Sequence, residues 1–186
     1  FHRTFTIEDG LPSNQVYCAI QDHEGFMWFG TDAGASRFDG VEFINLGSAD
    51  GLTDNEIIGV HEDSAHRIWF LTLNGALCFW KDGRVYNGRT IPDLERYKGS
   101  SGWVTFCEDD QGRLWFSGVR GEMLRLDLDG DQDVYFEADA SLRSVLRDKH
   151  GKILSIDGIN VSAFEDGKFR VAAPRPPTSF LAEARR

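Results

Sequence analysis

Short runs of alternating apolar and polar residues, separated by turns rich in Asp and Gly, follow one another along almost the whole chain. Val16-Tyr-Cys-Ala-Ile20 is a clear first run, and Phe26 to Thr31, Ala35 to Phe38 and Val41 to Leu46 follow it at turn-length intervals. A period near two places successive side chains on opposite faces, as in a half-buried strand. The second run is dense in aromatic and β-branched residues, which fit a pleated surface. No segment carries a convincing helical stripe, so the pattern predicts an all-β chain built from units of four short strands.

The unit recurs. Asp22-His-Glu-Gly25-Phe-Met-Trp28-Phe-Gly-Thr31 returns as Asp63-Ser-Ala-His66-Arg-Ile-Trp69-Phe-Leu-Thr72 and as Asp109-Asp-Gln-Gly112-Arg-Leu-Trp115-Phe-Ser-Gly118. A fourth copy, Asp148-Lys-His-Gly151-Lys-Ile-Leu154, has Leu in place of Trp, and the anchors at 28, 69, 115 and 154 are spaced by 41, 46 and 39 residues. Gly34, Gly75 and Gly121 follow their Trp by six positions, and Asp-Gly pairs at 39–40, 82–83, 129–130 and 166–167 mark a later hairpin. Four antiparallel strands in a period of about 40 residues describe a β-propeller blade. Blades are expected at residues 14–46, 55–88, 102–137 and 142–171, with residues 1–7 as the outer strand of a preceding blade and 172–186 as the start of a following one.

The inter-blade loop recurs as Asp9-Gly-Leu-Pro-Ser-Asn14 and Asp50-Gly-Leu-Thr-Asp-Asn55. Together with the Asp-x-x-Gly-x-Leu-Trp phrase and the Gly34 to Gly40 stretch, it resembles the two-component-regulator propeller repeat over residues 5 to 170. The resemblance implies the extracytoplasmic sensor region of a bacterial sensor kinase, including hybrid two-component systems. It also implies an array that continues past Arg186 and closes at seven blades; four blades closed by the N-terminal strand are the alternative. Copies three and four depart from the pattern, through Tyr97 to Gly102 and through Leu154, so the blades are not expected to contribute equally to a binding face.

A composition of 41% hydrophobic and 27% charged residues suits a globular array with an aromatic core, drawn from 14 Phe and 5 Trp. The net charge of −10 opposes binding to nucleic acid or to an anionic membrane surface, both of which need clustered cations. No apolar stretch approaches the roughly 20 residues of a membrane helix, so membrane attachment is expected only through segments outside this chain. Cys18, Cys78 and Cys107 lie in expected strands without a paired spacing and read as buried thiols. The five histidines show no metal-ligand spacing, and His61 aligns with core positions Ile20 and Cys107.

Residues needed once per blade read as scaffold. Asp22, Asp63, Asp109 and Asp148 are expected to hold their own turns, and Trp28, Trp69 and Trp115 to fill the inter-blade core. Neither a nucleophile elbow, a Walker loop nor a zinc motif is present, and the consecutive acids Glu108, Asp109 and Asp110 point to alternating faces; catalysis and a cofactor are not expected. Loops joining fourth to first and second to third strands emerge at one end of every blade. There the candidate ligand contacts are Asn14, Asp32, Asn55, Asn74, Trp103 and Arg120, flanked by Ser13, Asp54, Leu73, Ser100 and Ser101. Hydroxyls, amides, an indole and a guanidinium suit an oligosaccharide or another small polar molecule. The recurring Asn14 and Asn55 equally suit capping of their loops, and Trp103 aligns with Val16 and Ile57, which suits packing. The expected function is a non-catalytic ligand-sensing module in the periplasm, part of an inner-membrane protein. Contact with further blades or with a second copy is expected to cover its open faces. A polysaccharide-acting propeller enzyme and a protein-interaction scaffold are the alternatives.

Overall fold

The computed structural model describes residues 4–96, 102–128, 134–136 and 144–174, with 134–136 as backbone. Four antiparallel four-stranded sheets account for its strands, each in simple meander order. The first holds β1 (Val16–Gln21), β2 (Met27–Thr31), β3 (Gly34–Phe38) and β4 (Phe43–Leu46). The second holds β5 (Ile57–Glu62), β6 (Ile68–Thr72), β7 (Cys78–Lys81) and β8 (Arg84–Asn87). A single helical turn, α1 (Pro92–Arg96), precedes the third sheet of β9 (Trp103–Glu108), β10 (Leu114–Gly118), β11 (Met123–Leu126) and β12 (Val134–Phe136). The fourth sheet holds β13 (Ser144–Arg147), β14 (Ile153–Ile156), β15 (Asn160–Glu165) and β16 (Lys168–Pro174).

These strands fall where the alternation predicts, with differences that have local causes. β4 starts at Phe43 and not at Val41, because the amides of Val41 and Glu42 donate to Asp39 Oδ1 at 2.8 Å each and are used by the turn. The pairs Asp82-Gly83 and Asp166-Gly167 have positive φ at both residues, as the two-residue primed hairpin requires. The alternation predicts no helix here; Pro92 opens α1, Leu94 buries its side chain, and the turn takes up part of the longer 46-residue spacing between Trp69 and Trp115. Of the outer strand expected over residues 1–7, Thr4 to Thr6 form no strand and Ile7 begins a 3₁₀ turn, while residues 1–3 lie outside the described set. β16 extends to Pro174, and residues 175–186 lie outside the described set.

The chain divides into two compact units, one ending at Trp103 and the other beginning at Val104. In the first, β5 packs across β1 and β2. Trp28 is fully buried and meets Phe70 and Trp80 of the next sheet at ring-centroid distances of 5.9 and 5.1 Å. Arg37 lays its guanidinium over Phe26 at 3.5 Å and over Trp80 at 5.3 Å, tying the same two sheets by cation–π attraction. Gly30 permits the approach: a Cβ there would sit 2.6 Å from the Ile57 carbonyl oxygen. In the second unit Trp115 repeats the arrangement against Phe164 and Phe169, at 4.6 and 6.0 Å. Each such indole removes about 150–250 Å² from water, which makes these rings the main source of cohesion between sheets.

Candidate functional site

Each turn Asp is used within its own turn. Asp22 Oδ1 accepts the amides of Glu24 and Phe26 at 3.1 and 2.9 Å, while Oδ2 accepts the Trp28 indole N–H at 2.7 Å. Asp63 and Asp109 hold the equivalent amides and the indoles of Trp69 and Trp115, and add the guanidinium Nε of Arg67 and Arg113 at 2.5 and 2.7 Å. Asp148 keeps the two amide bonds, and its indole partner is replaced by Leu154. Burial raises the Asp109 carboxyl, but the bonds from Trp115, Arg113 and the turn amides outweigh it and hold the group below its ordinary value. These carboxylates bind the scaffold.

The inter-blade loop is equally self-contained. Thr6 to Gly10 and Gly47 to Gly51 form matching 3₁₀ turns, in which Asp9 and Asp50 accept the backbone N–H of Thr6 and Gly47 at 2.9 Å each. Asn14 Oδ1 accepts the Ile7 amide and Asn55 Oδ1 the Ser48 amide, each at 3.0 Å, so both asparagines tie their loops. Asn74 Oδ1 accepts from Thr72 and from the Ala76 amide at 2.9 Å each, and its Nδ2 donates to the Thr53 carbonyl at 2.6 Å. Trp103, placed at the ligand face by the sequence, is 0% exposed and donates its indole N–H to the Gly75 carbonyl at 2.9 Å. Its ring is core. Asp32 is exposed in the β2–β3 turn and Arg120 in the β10–β11 turn. Ser100 and Ser101 lie outside the described residues.

The loop end of the first unit gathers a group that the sequence reading missed. The ladder between β1 and β2 slips between Val16 and Cys18, so Tyr17 occupies a bulge that re-aims its side chain. It is 40% exposed. Its hydroxyl donates to Glu56 Oε1 at 3.2 Å and accepts from Gln15 Nε2 at 3.1 Å, and the Asp32 charge acts on it as well. Partial desolvation, the Glu56 bond and the two carboxylate charges push the phenol up, so it stays protonated and able to donate. An aromatic face bordered by an amide and two carboxylates can stack on a sugar ring and bond its hydroxyls. A usable signal was present: Tyr17 aligns with Ile58 and Val104, so no repeat rule requires a phenol there.

At the opposite end of the same two sheets, His23, Glu62 and His66 bring three metal-ligating atoms within 4.8 Å of one another. Spacing along the chain does not show this, because the three come from successive copies of one turn. In the second unit a cleft of about 210 Å³ lies at the corresponding turns, lined by Asp109, Asp110, Lys152 and Phe164 among others. Its acids are engaged: Asp109 as described, and Asp110 in an ion pair with Arg147. Cys18, Cys78 and Cys107 are free thiols, and burial pushes Cys107 up to about 12, which keeps it protonated and unreactive. Among the described residues no helix is long and apolar enough to cross a membrane.

Residues 10–33 match the family model of the two-component-regulator propeller. No curated protein sequence matches the chain. Among solved structures, the chain is similar to the extracellular domain of the hybrid two-component system BT4673 from B. thetaiotaomicron, with TM-score 0.67 and 19% identity over 89% of this chain and 22% of that one. The extracellular domain of BT3049 from the same organism gives TM-score 0.54 and 19% identity over 92% and 32%. A protein classed as a gluconolactonase gives 0.56 and 15% over 91% and 67%. The chain thus spans between about a fifth and a third of the two-component structures, and at these identities the likeness is one of fold. Recurring turn, indole and loop geometry agree with both findings: the chain is built of four-stranded antiparallel sheets of the β-propeller kind, and its residues 10–33 match the two-component-regulator propeller repeat.

Proposed function

We propose that this chain is part of the extracytoplasmic ligand-sensing propeller of a bacterial two-component receptor, a binding module whose output kinase lies elsewhere in the protein. Its setting is the periplasm, with membrane attachment through other segments. The observation that carries the reading is the division of labour among polar residues. Those that recur, such as Asp22, Asp63, Asn14 and Asn55, are consumed by their own turns, whereas Tyr17, Gln15, Glu56 and Asp32 stand together at the loop end without a repeat-imposed role.

The favoured ligand class is an oligosaccharide, recognised by stacking on Tyr17 and by bonds to Glu56, Asp32 and Gln15. Binding changes the population of receptor arrangements by as much as the ligand's affinity differs between them. Contact with further blades, or with a second copy, covers the open blade faces.

The test is calorimetric titration of a panel of neutral and anionic oligosaccharides. A bound sugar should lose about tenfold or more in affinity with Tyr17→Ala, the scale of a lost stacking contact. Undiminished binding in that variant removes the site. The likeness to a protein classed as a gluconolactonase favours a catalytic reading as the second choice. Recovery of the bound sugar chemically altered would establish that reading and sink the sensor.

A further inference from the structure

The turn between the first two strands sits against the next sheet in both units, and the same repeat positions meet. In the second unit the residue after the turn Asp, Asp110, pairs with Arg147, which precedes the next turn Asp. In the first unit the equivalent residues are His23 and Glu62, and they bond as well. The fourth residue of the next turn faces the same spot: a Cβ on Gly151 would meet the Asp110 carboxylate. Its equivalent in the second blade is His66, whose ring stacks on His23 with centroids 3.5 Å apart and planes 22° from parallel.

His66 stands where Gly25, Gly112 and Gly151 stand in the other copies, and it holds the left-handed backbone at φ 59°. A side chain there strains the backbone relative to Gly. What that side chain gains is a position on Glu62 Oε1, reached by His66 Nδ1 at 3.1 Å and by His23 Nδ1 from the other sheet. The second carboxylate oxygen accepts the His23 amide at 2.9 Å, which orients Oε1 toward the two rings. Glu62 is mostly buried, with 17% of its side chain exposed, while the imidazoles are 44% and 54% exposed and open to solvent.

We propose that His23, Glu62 and His66 form a transition-metal site of the zinc class that clips the first blade to the second. Two imidazole nitrogens and one carboxylate oxygen are a donor set that suits Zn²⁺, with water completing the coordination. All three atoms lie within 4.8 Å of one another, and tetrahedral coordination at about 2.0–2.2 Å sets ligand atoms roughly 3.4 Å apart, so side-chain rotations that move these atoms by about 1 Å bring them onto a common ion. The backbone amide on Oε2 supplies the outer bond that metal-ligating carboxylates ordinarily have. The clip replaces, in this unit, the Asp110–Arg147 ion pair of the other.

The experiment is titration of the chelator-treated chain with ZnCl₂ at pH 7.5, followed by calorimetry and thermal melting, with Co²⁺ absorption as the ligand-field readout. Wild type takes up one equivalent, its Tm rises, and Co²⁺ gives bands of a low-coordinate nitrogen and oxygen site. His66→Gly restores the residue of the other copies and relieves its backbone, so it folds; it and His23→Ala each lower affinity at least about 100-fold. The solvent-exposed His150→Ala leaves uptake unchanged. Absence of saturable uptake by wild type overturns the site, as does uptake that survives His66→Gly. A stability that follows pH but ignores zinc overturns it too, leaving a clip held by protons alone.

Discussion

Asp63 shows what a single carboxylate does in this repeat. Its side chain is fully buried and takes two turn amides, the Arg67 guanidinium and the Trp69 indole, so one residue satisfies four donors within six positions. Asp148 has the same place in the fourth copy but accepts two amides at a more exposed turn. Asp63→Ala is therefore expected to cost about 3–5 kcal/mol, because it strands a buried guanidinium and an indole, whereas Asp148→Ala costs about 1 kcal/mol. Urea unfolding of both variants measures the difference, and equal losses would show that the indole and guanidinium bonds carry no net stability. The Asp-x-x-Gly-x-x-Trp spacing follows from this arrangement, since six residues of a turn and strand return the indole N–H to the carboxylate that began the turn.

At the scale of the element, the start of β3 is set by Gly34, whose φ of +130° and lack of a side chain let the Leu46 carbonyl of β4 close over it. A Cβ would land on that oxygen. Gly34→Ala combines a forbidden backbone with a backbone clash, and is expected to destabilise by about 2 kcal/mol or more. Amide hydrogen exchange localises the effect, with protection lost first in β3 and β4; uniform loss across the chain would place the strain elsewhere. The strand that carries the candidate contact shows the converse: β1 and β5 slip register at equivalent positions, one bulge presenting Tyr17 and the other Ile58. The scaffold thus offers an equivalent bulged position in each of these two blades, and only the first fills it with a hydrogen-bonding side chain.

For the molecule as a whole, acid is the simplest probe of how much the repeated turns contribute. Asp109 and Asp148 are held below the ordinary carboxyl value, the latter chiefly by amide bonds from Lys152 and His150. A carboxyl depressed on folding adds stability that is fully present above its unfolded value of about 3.9 and is lost as pH falls through the folded one. Stability should hold between pH 7 and about 5 and fall below about 4, and Asp109→Asn should flatten that fall. A wild-type Tm unchanged down to pH 3 would contradict it. The proposed ligand group and the proposed metal clip lie at opposite ends of the same pair of sheets, so zinc uptake and sugar binding can be tested separately.

Strand number, turn positions and the all-β class were legible in the residues alone, because Asp, Gly and Trp act on neighbours within six or seven positions and repeat each time. The same recurrence identified the turn aspartates as scaffold, whereas it left Asn14 and Asn55 between ligand contact and loop cap, and each accepts an amide of its own loop. What only the tertiary structure decided are contacts one period apart. Tyr17 meets Glu56, and His23 meets Glu62, across 39 residues, because neighbouring sheets pack face to face through Trp28 and Gly30. Whether Trp103 pointed to solvent or to core was likewise settled by packing, since the Gly75 carbonyl that holds its indole belongs to the preceding sheet's turn. Local chemistry writes a blade; the depth at which one blade beds against the next determines which side chains become a site.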